Sequence, residues 1–222
     1  SKAELEAENI EAVATGAATN LDRHIRNMAG FGVPVIVSIN KFASDTDGEI
    51  KALSDAAHAS GAKAVTITEV HSKGGEGGED LAKAVVKAVQ DHVAAGRPFT
   101  PLFVNDAPVM EKVEAIATRM YKAKEVVVEA AAKKQLDKLN SWGYGNLPVC
   151  MAKTQYSFSH DAGKLGAPSD FTLPIREVRL NSGAGFIVAI LGNMMTMPGL
   201  PKRPAAIDMD MDDDGNQTGI FG

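Results

Sequence analysis

The chain has 222 residues, of which 45% are hydrophobic and 23% are charged, and its formal net charge at pH 7 is -5. This length and hydrophobic fraction predict a folded globular protein with a substantial core. The acidic balance provides no broad positive field for a phosphate backbone, which excludes nucleic acid as an expected partner. Because no apolar run reaches the ~18 to 20 residues that span a bilayer, and the first residues are charged, we expect no membrane partner and a cytoplasmic location.

The first half of the chain alternates between helix and strand patterns. Residues 5–29 favour a helix, because Leu21, Ile25 and Met28 recur at spacings of three and four. The patterns that follow are, in order, a strand at 33–39, a helix at 46–60, a strand at 63–68 and a helix at 79–95. This order predicts an α/β fold, a Rossmann-like domain with a parallel sheet and crossover helices, in which ligands bind beyond the carboxyl ends of the strands.

The second half predicts two helices, then strands and a terminal hairpin. Its helical patterns occupy residues 108–121 and 129–142, and its strand patterns occupy residues 147–152, 171–180 and 183–191. Near the carboxyl end, AIDMDMD and QTGIF flank the turn sequence DDGN, which is typical of a hairpin. The single cysteine, Cys150, lies in the apolar run LPVCMA, so we expect it to be buried.

Two polar segments follow the predicted strands of the first half. The glycine-rich segment HSKGGEGGED, residues 71–80, opens a helix, and its small residues would let backbone amides approach a ligand closely. By itself, this local pattern favours a flexible connector over a ligand-binding loop. The segment SINKF, residues 38–42, ends a strand, and Phe42 could either pack internally or stack on a flat ligand there.

Several common catalytic motifs are absent from the sequence. There is no phosphate loop of the form GxxxxGK followed by Ser or Thr, and no GxSxG nucleophile elbow. The five histidines show no close metal-ligand spacing. We therefore predict no metal site and nominate no catalytic residue in this chain.

Long, collinear segments nevertheless resemble one enzyme family. They are NLDRHIRNMAGFGVPVIVSINKFASDTDGEI, SKGGEGGED, GYGNLPVCMAKTQYSFSHD, FTLPIREVRLNSGAGFIV and MTMPGLPKRPAA. These are similar to formate–tetrahydrofolate ligase, from about Asn20 to the carboxyl end. The resemblance implies a ligase of one-carbon metabolism, in which MgATP phosphorylates formate and N10 of tetrahydrofolate attacks the formyl phosphate. The products would be 10-formyltetrahydrofolate, ADP and phosphate.

The resemblance also implies which part of the ligase this chain supplies. The family's phosphate loop belongs to an amino-terminal part, so we expect this chain to form the folate side and to be inactive without that part. In the family two aromatic rings enclose the pterin. Phe42 matches the first, and His71 occupies the position of the second, a tryptophan. The other residues that we assign to the folate site are Lys73, Gly74, Gly75 and Glu76.

The implied organisation has three segments. Residues 1–30 would belong to the nucleotide-binding domain, residues 31–204 would form the α/β folate-side domain, and residues 205–222 would form a tail hairpin that packs back on the nucleotide-binding domain. The expected partners are tetrahydrofolate, the amino-terminal part of the ligase and further copies in a homo-oligomer. MgATP would bind mostly outside this chain, and a monovalent cation is a further expected ligand. The alternative is a non-catalytic binding or oligomer-assembly module derived from the ligase.

Overall fold

The structure is a computed structural model that describes residues 7–192, 202–215 and 217–219. Helix α1 comprises Ile10–Gly16, a π-helical segment at Ala17–Leu21, and Asp22–Ala29. The later helices are α2 (Asp47–Ala59), α3 (Val70–Lys73), α4 (Glu79–Ala94), α5 (Val109–Ala115, with a π-helical continuation at Ile116–Met120) and α6 (Ala130–Ser141). The strands are β1 (Ile36–Asn40), β2 (Ala64–Thr68), β3 (Glu125–Val128), β4 (Val149–Ala152), β5 (Thr172–Ile175), β6 (Glu177–Asn181), β7 (Phe186–Ile190), β8 (Asp210–Met211) and β9 (Gln217–Thr218).

The first half forms a parallel β-α-β unit. Strand β1 pairs in parallel with β2, with Ile36 opposite Ala64 and Asn40 opposite Thr68, and α2 makes the crossover between them. Buried Ile25, Ala57 and Ala62 form the core of this unit, with four partly buried aliphatic residues packed against them. The predicted α/β fold with parallel strands and crossover helices is confirmed.

The second half contains the larger core and mixes parallel with antiparallel pairing. Strand β3 pairs in parallel with β5, while β7 lies between its parallel partner β4 and its antiparallel partner β6. The most deeply buried aliphatic side chains, Leu173, Ile175, Ile187 and Leu191, belong to one cluster with residues of α5 and α6. Helices α5 and α6 therefore cover the strands of this half.

Three details of the second half differ from the sequence prediction. No strand was predicted at β3, whose three valines stand between two helical patterns. The predicted strand at residues 171–180 is two strands separated at Arg176, because β5 pairs with β3 whereas β6 pairs with β7. The prediction that Cys150 is buried is wrong. Its neighbours Val149 and Met151 pack against the core, so strand alternation turns the thiol outward.

The terminal hairpin forms where the sequence predicts it. Strands β8 and β9 pair antiparallel, with Asp210 opposite Thr218. Ile207, Met209 and Met211 are half exposed or more in this tail. The predicted first helix begins at residue 5, which lies outside the described residues, as does most of the proline-rich block that follows residue 192.

Helix α2 begins with a capping box, which gives a testable stability prediction. The Thr46 hydroxyl accepts from Glu49 N at 3.2 Å, and the Glu49 carboxylate accepts from Asn9 N at 2.8 Å and Thr46 N at 3.1 Å. Thr46→Ala is expected to lower the free energy of unfolding by about 1 kcal/mol in urea denaturation. Thr118→Ala is the matched control, because the Thr118 hydroxyl only donates to the carbonyl of Glu114 in its own helix. If Thr118→Ala lowered the free energy of unfolding as much as Thr46→Ala, the capping role would be contradicted.

The same box gives α2 a pH dependence of known sign. The backbone donors of Asn9 and then Thr46 hold the pKa of Glu49 below its ordinary value, because they stabilise the carboxylate. A lowered folded-state pKa means that this contribution is present above the unfolded-state pKa and disappears as pH falls through the folded-state pKa. The stability difference between the wild type and Glu49→Gln should therefore shrink on acidification.

Candidate functional site

The loop after β1 presents Phe42 to solvent on a fixed backbone. Parallel pairing continues one residue past β1, because Lys41 N donates to Thr68 O at 3.0 Å. Phe42 N then donates to the Asp45 carboxylate at 2.8 Å, and Asp45 N donates back to Phe42 O at 3.1 Å. The Phe42 side chain is 64% exposed. The packing alternative for this ring is therefore excluded within the described chain, and a flat ligand could reach it.

The glycine-rich segment after β2 is a structured turn. It begins with α3, continues as a 3-10 helix at Gly74–Gly78 and leads directly into α4. Gly74 has φ +59° and ψ -143°, a conformation open essentially to glycine alone. A Cβ at Gly77 would lie 2.6 Å from the carbonyl carbon and oxygen of Glu69. Glycine is thus required at these positions by the backbone itself, and the flexible-connector interpretation does not describe the segment.

One ion pair organises the charges of this turn. Lys73 Nζ lies 2.6 Å from Glu69 Oε2. The pair lowers the pKa of Glu69 and raises the pKa of Lys73, chiefly through this hydrogen bond. Lys41 on the neighbouring loop also lowers the pKa of Glu69. The pair is exposed and contributes little to stability, but it holds one cation and one carboxylate in place beside His71.

The two loops meet at one edge of the β1–β2 sheet. Residues 41–45 and 69–78, which we call the rim, follow the carboxyl ends of two adjacent parallel strands. All six residues predicted for the folate site lie on the rim and are exposed: Phe42, His71, Lys73, Gly74, Gly75 and Glu76. The parallel pairing of β1 with β2 places these two loops at the same edge of the sheet.

A cleft of about 360 Å³ opens beside the Phe42 loop. It is lined by Asn9, Ala12, Val13, Ser38, Ile39, Asn40, Asp45, Glu49, Ile50 and Leu53. Phe42 and the glycine segment do not line it, so the predicted site residues occupy the rim outside this cleft. Sequence reasoning did not single out Asp45, although its place three residues after Phe42 and just before a helix cap is typical of a loop-fixing carboxylate.

The described residues provide neither a membrane span nor a metal cluster. Within residues 7–192, 202–215 and 217–219, no helix combines the length and apolarity needed to cross a bilayer. Over the same ranges, no group of three or more His, Cys, Asp or Glu side chains converges where it could hold a metal ion.

Fold and rim together define the class: an α/β protein whose exposed loops occupy the sheet edge at which such folds hold ligands. A family model for formate–tetrahydrofolate ligase matches residues 1–221. The chain belongs to the formate–tetrahydrofolate ligase family.

A curated relative agrees with this assignment. The chain is 48% identical over 220 residues to a formate–tetrahydrofolate ligase of Maricaulis maris (strain MCS10). The aligned region covers 99% of this chain but 39% of that relative. The chain therefore spans less than half the length of this relative.

Proposed function

We propose that this chain supplies the tetrahydrofolate side of the active site of a formate–tetrahydrofolate ligase. The observation that carries the proposal is the rim, where exposed Phe42 stands beside the glycine-rich turn that bears His71. A solvent-facing aromatic ring on a fixed loop can stack on a flat pteridine without reorganising the backbone. A Cβ built at Gly74 or Gly75 would meet no atom within 4 Å, so a ligand could approach the backbone of this turn closely.

In the proposed reaction of the whole ligase, a formate oxygen attacks the terminal phosphorus of MgATP and ADP leaves. The N10 amine of tetrahydrofolate then attacks the formyl carbon, the bond from that carbon to the phosphate oxygen breaks, and N10 loses its proton. Phosphate leaves, and 10-formyltetrahydrofolate is formed. The rim would hold the pterin so that N10 meets the formyl phosphate before water does. Since the sequence contains no phosphate-loop pattern, the first step would depend on residues outside this chain, and so would most of the MgATP and monovalent-cation binding.

The remaining sequence-based assignments stay part of this proposal. They are the division into residues 1–30, 31–204 and 205–222, a homo-oligomeric state, and a cytoplasmic location. The exposed apolar side chains of Ile207, Met209 and Met211 support a tail that packs on another part of the ligase.

A second function is favoured by one specific residue. His71 stands where the family pattern has a tryptophan, and a smaller ring offers less stacking area. If that loss abolishes folate binding, the chain would act as an assembly module that is not itself catalytic.

Reconstitution distinguishes the two functions. The chain is mixed with a separately produced amino-terminal part of the ligase, and synthesis of 10-formyltetrahydrofolate from formate, MgATP and tetrahydrofolate is followed. We expect activity from the pair and none from this chain alone. Association without activity or tetrahydrofolate binding would support the assembly module, and activity of the chain alone would contradict the proposed division of labour.

His71→Trp is expected to strengthen tetrahydrofolate binding. An indole in place of imidazole adds stacking area worth about 0.5 to 1.5 kcal/mol, or roughly a two- to twelvefold lower Kd. Isothermal titration calorimetry measures the change. His58→Trp, at an exposed position near the end of α2, is the matched control and should leave Kd unaltered. Unaltered binding by His71→Trp would show that this side chain does not face the pterin, and weaker binding would contradict the stacking role.

A further inference from the structure

A second cavity, of about 270 Å³, lies near the segment that precedes β1. Gly30 and Phe31 line it and lead into the amino end of β1, whereas Phe42 follows the carboxyl end. Four of its lining residues are cationic: Arg23, Arg26, Arg119 and Lys122. We call it the basic cavity. Such a concentration of cations is unexpected in a chain whose net charge is -5.

Most of this positive charge is not neutralised within the described residues. Arg26 Nε forms hydrogen bonds of 2.8 and 2.9 Å to the Asp22 carboxylate, and this interaction lowers the pKa of Asp22. Arg119 Nη1 instead donates to Leu102 O at 2.7 Å. A carbonyl satisfies a donor but leaves the charge in place. The Lys122 ammonium has no hydrogen-bond partner within the described parts of the chain. In those parts, Arg26 is therefore the only one of the four cations that forms an ion pair with a carboxylate, that of Asp22.

Arg23 is likewise held by neutral acceptors. Its guanidinium donates to Tyr121 O at 3.2 Å, Ala167 O at 3.2 Å and Pro168 O at 3.4 Å. Desolvation by burial lowers the pKa of this guanidinium, because burial disfavours the charged form, and the charge of Asp22 opposes this shift only in part. A further anion nearby would offset the remaining desolvation.

Arg119 and Lys122 lie at a turn that hydrogen bonds join to neighbouring segments. The buried Asn27 side chain donates to Met120 O at 3.0 Å. Lys122 has φ +61°, a left-handed conformation that is rare for residues other than glycine, and its carbonyl accepts from Asp170 N at 2.9 Å. The backbone that carries these two cations is therefore held in place before a ligand binds.

We propose that the basic cavity binds a small multivalent anion that carries phosphate or several carboxylates. Guanidinium groups match both kinds of oxyanion with paired N–H donors, and an ammonium adds a compact charge. The cavity volume suits a small anionic group. This cavity shares no residue with the rim, so anion binding here does not depend on whether the rim binds folate.

The test is calorimetric titration of the full chain with pyrophosphate and, in a second arm, with citrate. The variants are Arg119→Gln and Lys122→Gly. Lys122→Gly removes the ammonium at a position whose positive φ glycine adopts readily, so folding is preserved, and thermal unfolding checks this. Lys134→Gln removes one exposed lysine charge on α6, away from the cavity, and is the matched control.

Each cavity variant should raise Kd by about tenfold or more, as expected for loss of a charge-assisted hydrogen bond. The control should bind like the wild type, and added salt should weaken binding throughout. Preference for pyrophosphate over citrate would assign a phosphate ligand, and the reverse would assign a polycarboxylate. Absence of millimolar binding of either anion by the wild type, or an equal loss in Lys134→Gln, would overturn the proposal.

Discussion

Replacing Lys112 by methionine is expected to destabilise the protein by on the order of 3 to 5 kcal/mol. The Lys112 side chain is only 1% exposed. Its ammonium donates to Asn105 O at 2.6 Å, Asn146 O at 2.6 Å and Leu147 O at 3.2 Å. Methionine is similar in length and volume, so it fills the space without a large cavity. It leaves three carbonyls without their charged donor, and that loss causes the destabilisation.

Equilibrium unfolding in urea measures the effect. Lys133→Met, at an exposed position on α6, is the matched control and should change the free energy of unfolding by less than about 0.5 kcal/mol. A loss below about 1 kcal/mol in Lys112→Met would show that water reaches these carbonyls and that the ammonium is not needed to satisfy them.

The size of this effect follows from what Lys112 joins. Its neighbours on α5, Val109 and Val113, belong to the larger core, and Val109 N donates to Gly145 O at 2.8 Å. Through its hydrogen bonds, Lys112 therefore joins the segment before α5 and the segment before β4 to helix α5. Both segments lack regular secondary structure at these points, so their carbonyls need a donor from elsewhere.

Lys112 also illustrates what periodicity can and cannot predict. The helix at residues 108–121 was predicted from local pattern and is present as α5 with its π-helical continuation. A lysine in such a helix would ordinarily face solvent. Its burial depends on carbonyls seven and about 35 residues away, and no window of local sequence contains that information.

The pairing of strands shows the same limit. Strands β1 and β2 were predicted because the first is an apolar β-branched run and the second, KAVTIT, is rich in β-branched residues. Strand β3 was missed because EVVV is short and lies between alanine- and lysine-rich stretches that favour helix. Its partner β5 is 47 residues further along the chain. Non-local pairing stabilised a segment whose local preference was ambiguous.

The two candidate sites differ in how far the sequence could predict them. The rim follows from a general rule, since loops after adjacent parallel strands lie at one sheet edge. The basic cavity brings Arg23 and Arg26 of α1 together with Arg119 and Lys122, roughly a hundred residues later. The only sequence hint is that these residues are cationic in an acidic chain, so this cavity required the structure.

Phe42→Ala is expected to weaken tetrahydrofolate binding by about 1 to 3 kcal/mol, which raises Kd roughly 5- to 150-fold. The ring is 64% exposed in the described chain, so a stacked pteridine would bury it on binding and alanine would lose that burial. Asp45 holds the loop through the backbone of residue 42, which alanine retains. The change should therefore affect affinity and leave the free energy of unfolding nearly unaltered.

Isothermal titration calorimetry with tetrahydrofolate measures this change, and Phe99→Ala provides the matched control. Phe99 is 60% exposed, and its ring stacks with centroids 5.7 Å apart on Phe31, which precedes the amino end of β1. Its replacement removes the same number of atoms from an equally exposed ring. If the pterin stacks on Phe42, only Phe42→Ala weakens binding. Equal affinities for Phe42→Ala and the wild type would remove this ring from the folate site.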